Sequence, residues 1–243
     1  MATLRLLVIR HGSTDSNRER RFTGWRDVPL SDVGRQEAEA VARALAGQPV
    51  AAVYASPLQR ARVTAEIVAA AHRLTVTPLP DFREMSFGDW EGLTVSEVQA
   101  CFPEDFARWR GTAPQQVLRP GGESMAEVAK RVGRGLAEIR AGHPEQTVVL
   151  VTHAVVTRLL VLSALGLEPD RYWSVDVSPA GITEIEYRDD WTTLHRLNTL
   201  AHLESPPPSR EPAREDHTTE ATRATVRPPT PRAGLADPAT SEP

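Results

Sequence analysis

The alternation of short apolar runs with longer helical patterns is the feature that most limits the fold of this chain. Three runs of strand length, at 4–9, 50–54 and 148–152, are rich in apolar and β-branched residues on both faces. Such runs are typical of buried strands in a mostly parallel sheet, whose two faces are covered by helices. Amphipathic or apolar helical patterns follow such runs, as at 32–46 and 154–165. The sequence therefore predicts an α/β fold, a three-layer α/β/α sandwich with a mostly parallel central sheet.

Capping patterns mark the starts of several of the predicted helices. Ser56 to Gln59, Thr94 to Glu97 and Ser124 to Glu127 each place a hydroxyl three residues before Glu or Gln, as in a capping box. Shorter apolar segments predict further strands, of which the last three would close the sheet as an antiparallel region. These segments are 74–79, 173–177, 181–187 and 192–197.

Histidine and arginine side chains stand directly after the predicted parallel strands. Arg10 and His11 follow the first strand, and His153 follows the run at 148–152. Arg60 lies in the helix that begins after the second strand. Ligands of open α/β sheets bind at the carboxyl ends of the strands, so we expect all four side chains at one edge. A single histidine at a strand end is more often structural than functional, whereas the four residues together indicate a functional site.

Two arginines beside two histidines suit the transfer of a phosphoryl group. Such a group spreads its negative charge over three equatorial oxygens, and catalysis consists largely of positioning and charge stabilisation. Guanidinium groups bind phosphate oxygens in pairs and stay charged, and neutral imidazole is a capable nucleophile. No cluster of Asp and Glu with metal-ligand spacing follows a strand. We therefore expect a site without metal or cofactor, in which arginine supplies the positive charge.

Seven segments, in order along the chain, resemble the motifs of the histidine phosphatase (phosphoglycerate-mutase-like) superfamily. The family motifs are RHG-x-T-x-x-N, F-x-G-W, L-S/T-x-x-G, S-P-L-x-R-A, L-x-E-x-x-F-G-x-W-E-G, P-G-G-E-S and a final histidine after a strand. The resemblance covers about residues 4 to 203, and within the family it is similar to the α-ribazole phosphatase group. The matching segments are Arg10 to Asn17, Phe22 to Trp25, Pro29 to Gly34, Tyr54 to Ala61, Phe82 to Gly92, Pro120 to Ser124 and Val151 to His153.

The resemblance implies a role for each residue that matches a motif. His11 would attack phosphorus and become phosphohistidine. Glu84 would protonate the leaving alkoxide and then deprotonate the water that hydrolyses the intermediate. Arg10, Arg60 and His153 would hold the phosphoryl oxygens. The further residues implied in substrate binding are Asn17, Thr23, Gly24 and Ala154.

Two positions depart from the family's pattern. Ser13 stands where many members have Glu or Gln, and Ala154 stands where many have Gly. Neither change removes a chemical group that the mechanism needs, because the backbone N–H of Ala154 remains. Glu91, seven residues after Glu84, is another carboxylate of the same motif, and we interpret it as structural.

The resemblance predicts a phosphomonoesterase acting on a small phosphorylated metabolite, and it leaves two alternatives open. One is a 2,3-bisphosphoglycerate-dependent phosphoglycerate mutase, which shares the pocket. The segment 87–92 and the short stretch between Glu84 and His153 favour the phosphatase. The other alternative is a non-catalytic phospho-ligand binder, which the presence of His11, Arg60, Glu84 and His153 disfavours.

Substrate specificity is expected to lie in a helical cover at about 94–117. Phe106 and Trp109 within this cover could contact the substrate or pack in the core, and we favour the core. The phosphoester that serves as physiological substrate is left open.

The composition changes near His202. Residues 204–243 contain nine of the 20 prolines and few large apolar side chains, so burial cannot offset the entropy of ordering them. We predict a histidine phosphatase domain over 1–203 and a disordered Pro-rich tail over 204–243. The net charge of −4 gives no indication of nucleic acid or membrane as a partner. Without a recognisable signal or membrane segment, we expect a cytoplasmic protein and leave a homodimer open.

Overall fold

A computed structural model describes residues 3–111 and 121–204 of the chain. Six strands form one sheet: β1 (Leu4–Arg10), β2 (Val50–Ala55), β3 (Val76–Pro78), β4 (Thr147–Thr152), β5 (Ile182–Tyr187) and β6 (Thr192–Thr199). Their order across the sheet is β3-β2-β4-β1-β5-β6. The pairs β1–β4, β2–β4 and β2–β3 are parallel, and the pairs β1–β5 and β5–β6 are antiparallel. The predicted mostly parallel sheet with an antiparallel closing region is confirmed.

Helices connect and cover these strands. They are α1 (Asp15–Arg18), α2 (Asp32–Leu45), α3 (Gln59–His72), α4 (Val95–Cys101), α5 (Pro103–Arg110), α6 (Met125–Gly142) and α7 (Ala154–Ala164). Short 3₁₀ turns lie at Pro80–Phe82, Gly88–Trp90, Pro169–Ser174 and Ala201–Leu203. None of the helices in the described part of the chain is long and apolar enough to cross a membrane.

Successive residues of β1 pack into two hydrophobic cores, one on each face of the sheet. Leu6 and Val8 lie in the core shared with α6 and α7, whereas Leu7 and Ile9 lie in the core shared with α2 and α3. Both faces of the strand are therefore buried, which explains its continuous apolar sequence. The three-layer α/β/α architecture follows from this arrangement.

The parallel pairing of β1 with β4 brings the two histidines of the predicted site to the same edge of the sheet. Arg10 is opposite Thr152 in the register, so His11 and His153 leave the sheet side by side. The backbone N–H of His11 extends the ladder by donating to the carbonyl oxygen of Thr152 at 2.9 Å. On the other side of β4, β2 delivers Ser56 to the same edge, where its N–H donates to the carbonyl oxygen of Val151.

Two local predictions are wrong. The segment 173–177 is not a strand, because Pro169–Ser174 forms a 3₁₀ turn and Val175 and Val177 pack into the core from a loop. Burial of every second residue, as at Val175 and Val177, is also typical of a strand, which explains the wrong prediction. Ser56 does not cap α3, which begins at Gln59 without a side-chain cap. The capping boxes at Thr94 and Ser124 are confirmed.

Two predictions reach outside the described residues. The Pro-rich tail at 204–243 is one of them, apart from its first residue, and the end of the helical cover at 112–117 is the other. The division into a domain over 1–203 and a disordered tail therefore stays a prediction. Within the described part of the cover, the chain forms α4 and α5.

Candidate active site

His11 is buried just after β1, with one ring nitrogen bonded to the backbone and the other facing Arg60. Its Nδ1 lies 2.7 Å from the carbonyl oxygen of Gly12, which can only accept, so Nδ1 carries the proton. Nε2 therefore presents its lone pair, towards which Arg60 Nε donates at 3.3 Å. Burial, Arg60 and Arg10 hold the pKa of His11 well below its usual range. The imidazole is thus neutral at neutral pH, the form that can act as a nucleophile.

The loop that follows His11 is fixed by close packing against α2. A Cβ atom on Gly12 would clash with the carbonyl oxygen of Gly34, so a larger residue would displace the loop. Ser13 donates its backbone N–H and its hydroxyl to the Glu37 carboxylate at 2.6 and 2.8 Å. Ser13, one of the two departures from the family's pattern, therefore anchors this loop to α2.

Arg60 is 1% exposed, and backbone carbonyls hold its guanidinium in place. Nη1 donates to the carbonyl oxygen of Arg26 at 2.9 Å and Nη2 to that of Gly24 at 2.8 Å. Burial lowers the pKa of Arg60 to about 10, so the group stays charged at neutral pH. The loop accommodates these bonds because Gly24 adopts φ +52°, and a Cβ there would meet the Glu91 carboxylate.

Glu91 accepts hydrogen bonds from two backbone N–H groups, those of Trp25 at 2.9 Å and Phe87 at 3.0 Å. It therefore joins the loop around Gly24 to the segment after Glu84. This geometry agrees with the structural interpretation of Glu91.

His153 is completely buried and faces His11, with ring centroids 5.1 Å apart. Its Nε2 lies 2.7 Å from Ser56 Oγ, and its buried Nδ1 has no hydrogen-bond partner in the part of the chain that the structure describes. When the Ser56 hydroxyl donates to Nε2, Nδ1 carries the ring proton and is a buried donor. Burial and the charge of Arg60 hold the pKa of His153 well below its usual range. Sequence reasoning missed Ser56 as the partner of His153.

Arg10 points into the same cavity from the end of β1. Its Nη1 donates to the carbonyl oxygen of Val177 at 2.8 Å, and its buried Nε has no partner among the described residues. Burial lowers the pKa of Arg10, and the nearby Glu84 carboxyl opposes this effect. Among residues 3–111 and 121–204, the buried Nε of Arg10 thus has no acceptor, and Nδ1 of His153 is a second such donor when Ser56 donates to its Nε2.

Glu84, the predicted general acid, is buried, with only 7% of its surface exposed. Its Oε1 accepts from the backbone N–H of Met85 at 2.9 Å and of Val155 at 3.3 Å. Burial nevertheless raises the pKa of Glu84, although the bond from Met85 and the charge of Arg60 act against it. The carboxyl group therefore keeps its proton to higher pH than an ordinary glutamate, as a general acid requires.

Arg131 on α6 holds the backbone that carries Glu84. Its guanidinium donates to the carbonyl oxygens of Asp81, Arg83 and Glu84 at 2.6 to 2.9 Å and pairs with Glu123. Sequence reasoning missed this residue. The available signal was a charged side chain on the buried face of an amphipathic helix, where burial requires partners.

A cavity of about 550 Å³ lies over these groups. Its walls include aromatic side chains, among them Phe106 and Trp109. Trp109 is 2% exposed and belongs to the core, so it serves as core and as cavity wall. His153 is not one of the lining residues of the cavity, but its ring contacts the ring of His11, which is one. The other predicted site residues, which all line the cavity, are Arg10, His11, Asn17, Thr23, Gly24, Arg60, Glu84 and Ala154.

Asn17 and Thr23 make local contacts at the cavity wall. The Asn17 side-chain oxygen accepts from the N–H and hydroxyl of Thr14 at 3.0 Å each, which forms the capping box of α1. Thr23 Oγ1 lies 3.5 Å from the carbonyl oxygen of Arg21. No group of three His, Cys, Asp or Glu side chains that could hold a metal ion occurs within residues 3–111 and 121–204.

The lowered pKa values of His11 and His153 predict that acid weakens the fold. Below about pH 6.5 the unfolded chain binds protons at both histidines while the folded chain does not. The free energy of unfolding should therefore fall with decreasing pH, by up to about 1.4 kcal/mol per pH unit for each histidine. The raised pKa of Glu84 acts in the opposite direction, between its ordinary value and its raised one.

Urea unfolding at several pH values between 5 and 7 tests this expectation. His11→Asn should make the pH dependence shallower, because it removes one of the two histidines with a lowered pKa. Equal slopes for the wild type and His11→Asn would contradict the expectation.

Comparison with known proteins places this geometry in a family. The family model described as Histidine phosphatase superfamily (branch 1) matches residues 6–200. Phosphoserine phosphatase 1 of Hydrogenobacter thermophilus is 34% identical over 200 residues, which cover 82% of this chain and 94% of that protein. The adenosylcobalamin/alpha-ribazole phosphatase of Escherichia coli is 29% identical over 198 residues, which cover 82% and 97%.

Solved structures agree with these relatives. Bacillus stearothermophilus YhfR matches with a TM-score of 0.78 and 32% identity, over 83% of this chain and 100% of that one. The phosphoglycerate-mutase-like fold predicted from the motifs is confirmed by this similarity. The family model covers most of the chain and includes both histidines of the site. The chain belongs to the histidine phosphatase superfamily.

Proposed function

We propose that the chain is a phosphoric monoester hydrolase that acts through a phosphohistidine on His11. The observation that carries this proposal is the unprotonated Nε2 of His11 beside the buried Arg60 guanidinium. Glu84, a carboxyl group with a raised pKa, lines the same cavity. Nucleophile, cationic group and proton donor are the three parts that phosphoryl transfer to an imidazole needs.

In the first step, Arg10, Arg60 and His153 hold the phosphoryl oxygens while His11 Nε2 attacks phosphorus. The new N–P bond replaces the P–O bond of the ester, and Glu84 gives its proton to the departing alkoxide oxygen. In the second step, the Glu84 carboxylate takes a proton from a water molecule, which attacks the phosphohistidine. The N–P bond breaks, inorganic phosphate leaves, and Glu84 is again protonated.

Small phosphorylated metabolites are the substrate class that we propose. The relatives described above are named for phosphoserine and for α-ribazole phosphate, both of which are phosphomonoesters. The cavity volume of about 550 Å³ is that of a small-molecule site. We further propose that the protein acts in the cytoplasm without nucleic acid or membrane as a partner. Light scattering of the purified chain would tell a monomer from a homodimer.

Phosphate release from a panel of phosphomonoesters tests the proposed activity. We expect turnover in the presence of EDTA, because the positive charge comes from Arg10 and Arg60. Vanadate, which resembles the trigonal phosphoryl group in flight, should inhibit. Loss of activity on chelation, restored by Mg²⁺, would contradict the assignment of the cationic groups.

The mutase alternative is tested on the same preparation. With 3-phosphoglycerate and a trace of 2,3-bisphosphoglycerate, we expect phosphate release to exceed isomerisation. Isomerisation faster than phosphate release would make the chain a mutase with the same residues in the same positions. Binding of phosphomonoesters without either reaction would favour the non-catalytic binder.

A further inference from the structure

The segment 177–181, directly before β5, contacts both the side chain of Arg10 and the backbone that follows it. The guanidinium of Arg10 makes one hydrogen bond within the described part of the chain, from Nη1 to the carbonyl oxygen of Val177 at 2.8 Å. The N–H of Ala180 donates to the carbonyl oxygens of Arg10 and His11 at 3.0 and 3.2 Å. The position of both groups at the phosphoryl site therefore depends on a segment that does not itself line the cavity.

Asn198, near the end of β6, holds the peptide group whose carbonyl oxygen accepts from Arg10. The carbonyl of Val177 and the N–H of Ser178 belong to the same peptide group. That N–H donates to Oδ1 of Asn198 at 2.8 Å, and Nδ2 of Asn198 donates to the Ser178 hydroxyl at 3.3 Å. A peptide group is planar, so a bond that fixes its N–H also fixes the direction of its carbonyl oxygen. Arg10, this peptide group and Asn198 therefore form a continuous chain of hydrogen bonds.

The local backbone directs the Asn198 side chain to this peptide group. Asn198 lies in a β-bulge, because β6 has one residue more than β5 between two paired positions. It adopts φ +50°, a left-handed conformation that asparagine accepts more readily than most residues, and its N–H donates to Thr183 Oγ1 at 3.2 Å. A Cβ atom on Gly181 would clash with the Asn198 amide, so glycine there leaves the space that the amide fills. Bulge, backbone and glycine together keep the amide against the segment 177–181.

We propose that Asn198 is a positioning residue for the reaction, which orients Arg10 through the peptide group at 177–178 so that the guanidinium holds a phosphoryl oxygen. A hydrogen bond at the N–H of a peptide group also polarises its carbonyl, which strengthens the bond that the carbonyl oxygen accepts. The buried Nε of Arg10 has no acceptor among the described residues, so the bond to Val177 is the one that fixes the direction of the guanidinium. This role rests on the proposed function, since it takes Arg10 as a group that holds phosphoryl oxygens.

Two substitutions at Asn198 separate its side chain from its backbone. Asn198→Gly keeps the left-handed backbone, which glycine adopts without strain, and removes the amide. We expect kcat/KM for phosphomonoesters to fall by about 10-fold, comparable with the loss of one hydrogen bond to a charged group. Asn198→Asp keeps an acceptor for the Ser178 N–H, and the Ser178 hydroxyl can turn to donate to the second oxygen, so kcat/KM should stay within about 3-fold of the wild type. A folded Asn198→Asp protein that loses about 10-fold or more would contradict the proposal, even if Asn198→Gly failed to fold.

A double-mutant cycle with Arg10 tests whether Asn198 acts through that residue. Arg10→Met removes the donor to Val177, and loss of one such charge-stabilising group costs about 10²- to 10³-fold, which leaves a rate that can be measured with enzyme in excess. In this background Asn198→Gly should lower kcat/KM by less than about 2-fold, because the peptide group no longer has a guanidinium to orient. The same loss in both backgrounds would show that Asn198 acts without Arg10 and would overturn the proposal.

Thr193→Gly and Ser178→Ala are the matched controls. Thr193 lies near the other end of β6, paired with Glu186, so its replacement weakens the strand but should leave kcat/KM within about 2-fold of the wild type. Ser178→Ala removes the hydroxyl and keeps the N–H that Asn198 binds, so the change should stay within about 3-fold. A loss in Thr193→Gly equal to that in Asn198→Gly would assign the effect to β6 as a whole and contradict the proposal. An equal loss in Ser178→Ala would assign it to the hydroxyl, with the same consequence.

Calorimetry with inorganic phosphate gives a readout that does not depend on turnover. We expect Kd to rise by about 10-fold in Asn198→Gly and to stay near the wild-type value in Asn198→Asp and Thr193→Gly. A protein that hydrolyses no ester but binds phosphate in this Asn198-dependent way would retain the positioning role and lose the proposed function. Ester hydrolysis together with equal phosphate binding by the wild type and Asn198→Gly would have the opposite meaning.

Discussion

Replacing His11 with Asn is expected to lower phosphatase turnover by more than about 10⁴-fold, because no other group can form the covalent intermediate. Asn is short and polar and fits the space beside Gly12, so the loop after β1 should keep its conformation. The ring of His153 lies 5.1 Å from that of His11, but its Nε2 is engaged with Ser56, so it cannot take over the role. Phosphate release measured with enzyme in excess would detect even this residual rate.

The intermediate itself gives the more direct measurement. A rapid quench of wild-type protein with a labelled phosphomonoester should leave acid-labile, base-stable label on His11 and none on the variant. His195→Asn is the matched control, since His195 is exposed and pairs with Glu186 outside the cavity. Full activity of His11→Asn would falsify the phosphohistidine mechanism.

Replacing Glu84 with Gln is expected to lower kcat/KM for alkyl phosphates far more than for aryl phosphates. The amide oxygen can still accept from Met85 and Val155, so the backbone stays in place, but no acidic proton remains. We expect kcat/KM for alkyl phosphates to fall by about 10²- to 10⁴-fold, the usual contribution of a general acid. For p-nitrophenyl phosphate, whose leaving group needs little protonation, kcat/KM should change only a few-fold.

The second half of the reaction adds an independent signature to the Glu84→Gln variant. Without a base for water, hydrolysis of the phosphohistidine slows, so p-nitrophenol should appear in a burst equal to the amount of enzyme. Glu91→Gln is the control, because its amide oxygen can keep the bonds from Trp25 and Phe87 and it has no predicted proton transfer. Equal losses of kcat/KM for alkyl and aryl esters in Glu84→Gln would remove Glu84 from the acid role.

The strands and the edge of the sheet that carries the site could be predicted because local signals determine both. The apolar run of β1 is buried on both faces, and Arg10 and His11 follow it directly. His153 directly follows another parallel strand, so it was expected at the same edge, the carboxyl end where such folds bind ligands. Position along the sequence was therefore enough to bring the residues of the phosphoryl site together.

Side-chain partners between distant segments could not be predicted in the same way. The bond between Ser56 and His153 joins residues 97 positions apart, and the local capping pattern at Ser56 suggested another role. Arg158 could have been identified from the sequence as a candidate cavity residue, since it is the one charged residue of the apolar helix α7. A charged side chain in such a helix needs a partner or a ligand, and only the assembled cavity indicates which.

The place of β1 within the sheet has a consequence for the synthesis of the chain. β1 is made long before β4 and β5, the strands between which it lies, because their residues 147–152 and 182–187 follow it by well over 100 positions. At roughly 5 to 20 residues per second, β1 waits on the order of ten seconds before either neighbour leaves the ribosome. During that time a strand that is apolar on both faces has no native partner on either edge, which makes it a site for chaperone binding or for pairing with another nascent chain.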